Sequence, residues 1–439
     1  MDATWPASAA VGILMIVQAQ IARRQLGGWL APGALFCLTW TTATVSCLLI
    51  APEYRIWPGV LWVFFMTCTA HLGGALASPE PAGLAEPEPQ EPVRQPPRFP
   101  LLLPLLCSSV ILGLAGELYL VRSVGRGLPS LLSLRELSEI SSHFTGARYT
   151  DPDYREPNGF LVLVIFVYLG GALGGTVFAQ TGSRIRRGVA LISALPAILG
   201  TLVIGARSLA VGFGMCWVAA YCAVRAYTGY TSPWRSARRA FATMALAMVA
   251  FTGFYVIVQS VRQDLFEGPF SWAFSHEKVI SYGLAGAKNQ YVGYIGAFSK
   301  WFSENWDRSD PPGFGIYSFD GPAGWFGYKV VRNPEPILLT PGGSSASETN
   351  IYSMLRHMAL DWTLPGSAVF LFLMSVFASL AYARVRAGSV ACIPFIAMFY
   401  WIALYVTGFA MRSTVSDVAW AMFALYLWIA CSPDSEPEF

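Results

Sequence analysis

Charge is what this sequence has least of. Only 13% of its 439 residues are Asp, Glu, Lys or Arg, about half the roughly 25% of an ordinary soluble domain, which excludes a water-soluble globule. Lysine is scarcer still: Lys278, Lys288, Lys300 and Lys329 are all there are, and all fall between positions 262 and 361. The net charge of +3 implies no nucleic-acid partner. The eight cysteines, Cys37, Cys47, Cys68, Cys107, Cys216, Cys222, Cys392 and Cys431, have no metal-ligand spacing and avoid the 262–361 segment. They read as small core side chains. Neither a nucleotide-binding nor a metal-binding motif is present.

What fills the chain instead is apolar sequence, 54% hydrophobic with a mean hydropathy of +0.49. Runs of about twenty apolar residues recur, each long enough to cross a hydrocarbon core of roughly 30 Å as a helix. They lie near 6–22, 30–51, 56–77, 100–121, 159–180, 188–206, 208–224, 240–260, 364–383, 390–410 and 414–431. The expected fold is therefore all-α, a polytopic bundle of about eleven transmembrane helices in a lipid bilayer. Asp2 precedes the first run and Arg23-Arg24 follow it. That reverses the charge order of a signal peptide, so the run is expected to be retained as a span.

Short basic loops set the orientation. Arg23-Arg24, Arg94 and Arg98, Arg184 with Arg186-Arg187, Arg225 with Arg235, Arg238 and Arg239, and Arg384 with Arg386 share one side if each run crosses once. The positive-inside rule makes that side the cytoplasm, with the N-terminus outside and the 432–439 tail inside. Three parts follow: N-terminal membrane helices over 1–261, a large outer loop over 262–363, and C-terminal membrane helices with a short tail over 364–439. The Pro/Glu-rich stretch 78–99 is a flexible cytoplasmic linker.

Two polar segments then lie outside. In 122–158, Leu131, Leu134, Leu137 and Ile140 repeat among Arg135, Glu136 and Glu139, which predicts a short amphipathic helix on the membrane surface. In 262–363, Tyr291, Tyr294, Ile295, Phe298, Trp301 and Phe302 keep a three/four spacing beside Lys288, Lys300 and Glu304, which predicts a second interfacial helix. Its aromatic stripe reads as a membrane anchor or as a sugar-stacking surface. After Asn305 come turn formers in quick succession, Asp310-Pro311-Pro312-Gly313, Asp320-Gly321-Pro322 and 340–345, expected to be a loop held against the membrane helices.

Two arginines interrupt apolar sequence. Arg207-Ser208 divides the stretch 188–224 and Arg412-Ser413 divides the last two runs. An arginine at mid-bilayer costs roughly 3 kcal/mol, so each marks a hairpin tip, and the topology puts both tips outside. Glu117, Gln259 and Asp417 fall at similar depth. Glu117 and Asp417 either pair with the arginines to stabilise the bundle, or the group forms an anion site for a lipid-linked diphosphate, since guanidinium forks match phosphate oxygens. Arg262 and Arg356, at the two ends of the large loop, would complete it.

The spans, an Arg-Ser tip, one long outer loop, and then Thr349-Asn350-Ile351-Tyr352-Ser353-Met354-Leu355-Arg356 with Leu360-Asp361-Trp362-Thr363-Leu364-Pro365-Gly366 together resemble the bacterial oligosaccharide repeat-unit polymerases of the O-antigen type. Members of that family commonly show an Asn-Val-Tyr-Thr-like stretch, an aromatic-rich turn of helix, Asp-Phe-Gly, and a further Gly at the mouth of the next span. Asn350, Tyr352, Asp361 and Gly366 match, while Ser353 replaces Thr, Trp362 replaces Phe and Thr363 replaces Gly.

The resemblance implies a GT-C membrane glycosyltransferase at the periplasmic face of the bacterial inner membrane. Such an enzyme transfers a glycan from undecaprenyl diphosphate to the next lipid-linked repeat unit, with no cofactor and no metal, and with a chain-length regulator as a candidate partner. In that reading Arg207, Arg262, Arg356 and Arg412 hold the diphosphates, and Asn350, Tyr352, Tyr291 and Trp301 hold the acceptor sugar. Asp361, His357 and Glu348 are the candidate acceptor-side groups, against structural roles: Asp361 as a cap for the helix from Leu364, His357 as an ordinary interfacial histidine. Two rivals stand beside it. An O-antigen ligase shares the scaffold but usually carries a His-Asn-like stretch where this chain has Asn350-Ile351-Tyr352. A lipid-linked oligosaccharide flippase or other transporter would use broken, charged helices.

Overall fold

The computed structural model describes residues 4–78, 94–97, 99–150, 156–205, 208–230, 253–254, 256–258, 285–307, 312–319, 337–339, 348–349, 353–407 and 414–430. Among these the chain is a helical bundle: α1 (Trp5–Gln25), α2 (Pro32–Ile50), α3 (Gly59–Ala77), α4 (Leu102–Ser123), α5 (Leu134–Thr150), α6 (Asn158–Gln180), α7 (Arg184–Ile192), α8 (Leu195–Ile204), α9 (Ser208–Tyr227), α10 (Tyr294–Asn305), α11 (Met354–Arg386), α12 (Ile393–Leu404) and α13 (Thr414–Ala430). One two-stranded antiparallel pair, β1 (Ile337–Leu338) with β2 (Glu348–Thr349), completes it.

Among the described residues, eight helical segments are long and apolar enough to cross a membrane, counting α7 and α8 together as 184–204, and two shorter apolar helices, Val390–Leu404 and Val415–Ala430, accompany them. This is a multi-pass membrane protein. The remaining expected span, 240–260, eighth in chain order, lies almost wholly outside the described residues, as does most of the 78–99 linker.

Small residues set the packing, because lipid gives apolar side chains no reason to leave it and helices must gain by close approach. Gly175 of α6 lies so near the Trp217 carbonyl of α9 that a Cβ there would overlap it, and a Cβ at Gly73 of α3 would come 2.7 Å from the Phe372 carbonyl of α11. Cys37, Cys47, Cys216 and Cys222 are buried among these helices. Gln18 crosses the interior to donate to the Thr67 carbonyl at 3.2 Å.

The connections gather at two ends. At one, Arg94 donates to the Arg386 carbonyl at 2.7 Å, Arg187 donates to Thr181 O at 3.0 Å, Arg23 lies over Trp29 and Arg225 over Tyr230. Gln180 reaches Pro97 O at 2.8 Å. The connections around 94–97, 180–187 and 384–388, three of the basic loops that the sequence puts on one side, thus meet at one end of the bundle. Arg98, Arg235, Arg238 and Arg239 lie outside the described residues.

Both amphipathic segments are helical, but their apolar faces meet protein. Leu137, Ile140 and Phe144 of α5 are buried with Ile204, Leu209 and Val164 of the bundle. Tyr294, Ile295, Phe298 and Trp301 are buried in the main core with residues of α2, α3 and α11. The stripe read from sequence as a membrane anchor or a sugar-stacking surface is a core face at Tyr294, Ile295, Phe298 and Trp301.

Candidate functional site

The end opposite those basic connections holds the described parts of the 285–361 segment, which converge there. Ala51-Pro52-Glu53-Tyr54, between α2 and α3, cannot continue either helix past the proline and turns back. It meets a short helix, Ala285–Lys288, and a π turn, Asn289–Gly293, ahead of α10. Lys288 pairs with Glu53, and the Tyr54 hydroxyl donates to Asn289 Oδ1. The Lys288 ammonium also lies 5.3 Å from the Tyr54 ring centroid. Burial first, and the Glu53 carboxylate second, push the Tyr54 phenol above its ordinary value, so it remains a donor. The Gly59 N–H at the start of α3 donates to Ser299 Oγ of α10 at 3.1 Å.

The second half comes from the start of α11. The Met354 N–H donates to Val406 O at 3.3 Å, tying that start to the chain after α12. The Arg356 guanidinium carbon lies 5.9 Å from the Trp301 ring centroid, a cation–π contact that uses a face of the indole. His357 is buried on the same turn.

One turn further, Asp361 is fully buried and accepts two backbone N–H bonds, from Tyr317 at 2.9 Å and from Ser318 at 2.5 Å. The Gly313 and Phe314 N–H groups donate to the Leu360 and Asp361 carbonyls, each at 3.0 Å. Four hydrogen bonds thus clip 313–318 to the helix, and the Asp361 carboxylate is the anchor. Just beyond, α11 breaks at Thr363, with φ 63° and ψ 175°. Pro365 follows it, and Trp362 stacks on Phe370 at 5.4 Å.

Of the residues singled out from sequence, the structure brings Arg356 and Trp301 together, with His357 and Asp361 on the adjoining turns. Tyr291 sits half-buried in the π turn, packed on the core. Glu348 is described only in its backbone, as the β2 partner of Leu338. Arg207, Arg262, Arg412, Asn350, Tyr352 and Gln259 lie outside the described residues. Sequence reading passed over Glu53, Tyr54 and Asn289. The usable signal was an acid in the short connection 51–58, on the side that holds every lysine, but which lysine it meets is a tertiary fact. Among the described residues, no group of three His, Cys, Asp or Glu could hold a metal ion.

As a whole, this end offers a fixed guanidinium on a buried indole, an acid-anchored loop, and a neutralised Lys–Glu pair, all at the mouths of membrane helices. No family model, curated protein or solved structure matches the chain.

Proposed function

We propose that the chain is a membrane glycosyltransferase that joins undecaprenyl-diphosphate-linked oligosaccharide repeat units into a surface polysaccharide, in the manner of the O-antigen type polymerases it resembles. The observation that carries the reading is Thr363. Its backbone conformation belongs to a region that glycine alone occupies without strain, and it stands where the resembled motif has the glycine of Asp-Phe-Gly. The turn persists at an intrinsic cost of about 1–3 kcal/mol. That supports reading 350–366 as this motif, with Asp361 immediately ahead of the turn.

In this reading the acceptor hydroxyl oxygen bonds to C1 of the donor sugar as the C1–O bond to the diphosphate breaks. Undecaprenyl diphosphate leaves with the electron pair, and the acceptor proton passes to a base. The lipid diphosphate is already an activated leaving group, so no nucleotide sugar is required. Arg356, with Arg207, Arg262 and Arg412, neutralises the charge that develops on the departing diphosphate. Asp361, with both carboxylate oxygens engaged by backbone N–H groups, is a positioning residue in this scheme. His357 is the assigned proton acceptor.

The test is single replacement of Arg207, Arg356 and Arg412 by alanine in a host lacking its own polymerase, with surface polysaccharide chain length as the readout. The expected result is collapse to one repeat unit at normal protein abundance. Full-length chains in all three variants would sink the assignment, and bare core with no repeat unit would indicate a ligase.

A further inference from the structure

Glu117 sits on α4, six residues before the helix ends at Ser123, about 9 Å along the axis at 1.5 Å per residue. It is 1% exposed, and neither carboxylate oxygen has a hydrogen-bond partner. It faces Gly200 of α8, where a Cβ would collide with the carboxylate, and the Leu209 side chain closes the same space.

No charge faces it. The helices packed most against α4 as a whole are α6 and α8, and α9 reaches the Glu117 site through Leu209. Tyr168 is the one titratable residue of α6, and α8 has none. On α4 itself Arg122 is exposed, and Tyr119 packs toward Gly159. Arg135, Glu139 and His143 of α5 lie on its exposed side, with Glu136 half-exposed. Asp417 of α13 lines a separate cleft with Trp401 and Trp420. An ionised carboxylate in such a place, with neither donor nor counter-charge, would cost several kcal/mol.

The helix that covers Glu117 is a short one, set off at both ends. α8 is ten residues long, cut from α7 at Ser193-Ala194 and closed by Gly205 in the left-handed region at φ 64°. Its second glycine contact repeats the first. A Cβ at Gly205 would lie 2.6 Å from the Ser141 hydroxyl of α5, which is also buried without a partner. α8 therefore seals two unsatisfied polar groups from opposite flanks, and lifting it would hydrate both. Short half-helices beside a buried acid are the arrangement that membrane proteins use for proton and ion sites.

We propose that Glu117 is a proton-exchange site within the membrane, holding its proton while α8 is seated on it and releasing it when the half-helix lifts and admits water. This stands apart from the glycosyl-transfer reading and rests on none of its residues.

The test uses the full chain in liposomes, treated with an apolar carbodiimide, with the modified residue mapped by peptide mass. Only the acid form reacts: its O–H adds across one C=N bond, oxygen bonding to carbon and the proton going to nitrogen, and the O-acylisourea rearranges to a stable N-acylurea. Glu117 is expected to be labelled at about pH 6 and several-fold less at about pH 9, with no label at that position in Glu117→Gln. Absence of label on Glu117 in wild type, or equal labelling at both pH values, would overturn the proposal. Amide hydrogen exchange gives a second readout. Corrected for intrinsic rates, exchange over 195–205 should rise several-fold between those pH values in wild type and stay flat in Glu117→Gln. The same rise in both proteins would also overturn it.

Discussion

Asp361 and Glu117 are both acids buried to about the same degree in a bundle with little charge, yet their surroundings are opposite. Asp361 receives two backbone N–H groups from a loop, whereas Glu117 receives none and faces a glycine. The difference is one of supply. Residues 312–319 belong to an irregular segment whose N–H groups have no helix to satisfy them, so they are available to a carboxylate. The described neighbours that close over Glu117, Gly200 and Leu209, are helical, and helices spend their N–H groups internally. A buried acid beside a loop becomes an anchor, and one enclosed by helices is left able to change its charge only when a helix moves.

The largest expected effect breaks the satisfied member. Asp361→Ala leaves two N–H groups without their acceptor and should destabilise the clip by about 3 kcal/mol. Limited proteolysis within 308–320 should accelerate while the membrane helices stay intact. Gly200→Ala strikes the other member: the new methyl meets the Glu117 carboxylate and should cost about 1–3 kcal/mol, read as a lowered Tm in detergent. Thr363→Gly sharpens the first site by removing strain, with a net gain of about 1 kcal/mol after the entropy of the added glycine. Its Tm should rise without loss of activity. Smallest is Glu53→Gln, a pair whose side chains are 43% and 31% exposed, worth under about 1 kcal/mol. A drop as large as that of Asp361→Ala would contradict the ranking.

The spans were legible because a bilayer demands about twenty apolar residues in a row, and the gathering of basic loops at one end followed from the same count. What lies against each amphipathic face was not. The Leu137–Ile140 pattern records that one face is buried and says nothing about the burying partner, which is α8 and α9 rather than lipid. The Tyr291–Phe302 stripe went the same way, because α2, α3 and α11 cover it. At the site, Arg356, His357 and Asp361 were readable as polar residues at the mouth of a span. Their partners were less so: Trp301 was named for its aromatic face rather than for Arg356, and Glu53 is separated from Lys288 by 235 positions. The kink at Thr363 was hidden by its residue type, since threonine does not announce a conformation that belongs to glycine.

The most direct measurement is elongation by the purified full chain in liposomes carrying undecaprenyl-diphosphate-linked oligosaccharide, with product length resolved on a gel. The expected result is a ladder of multiple repeat units that disappears in Arg356→Ala and survives in Glu53→Gln. A lipid-linked oligosaccharide that crosses the bilayer but never lengthens would contradict the account and mark the chain as a translocator.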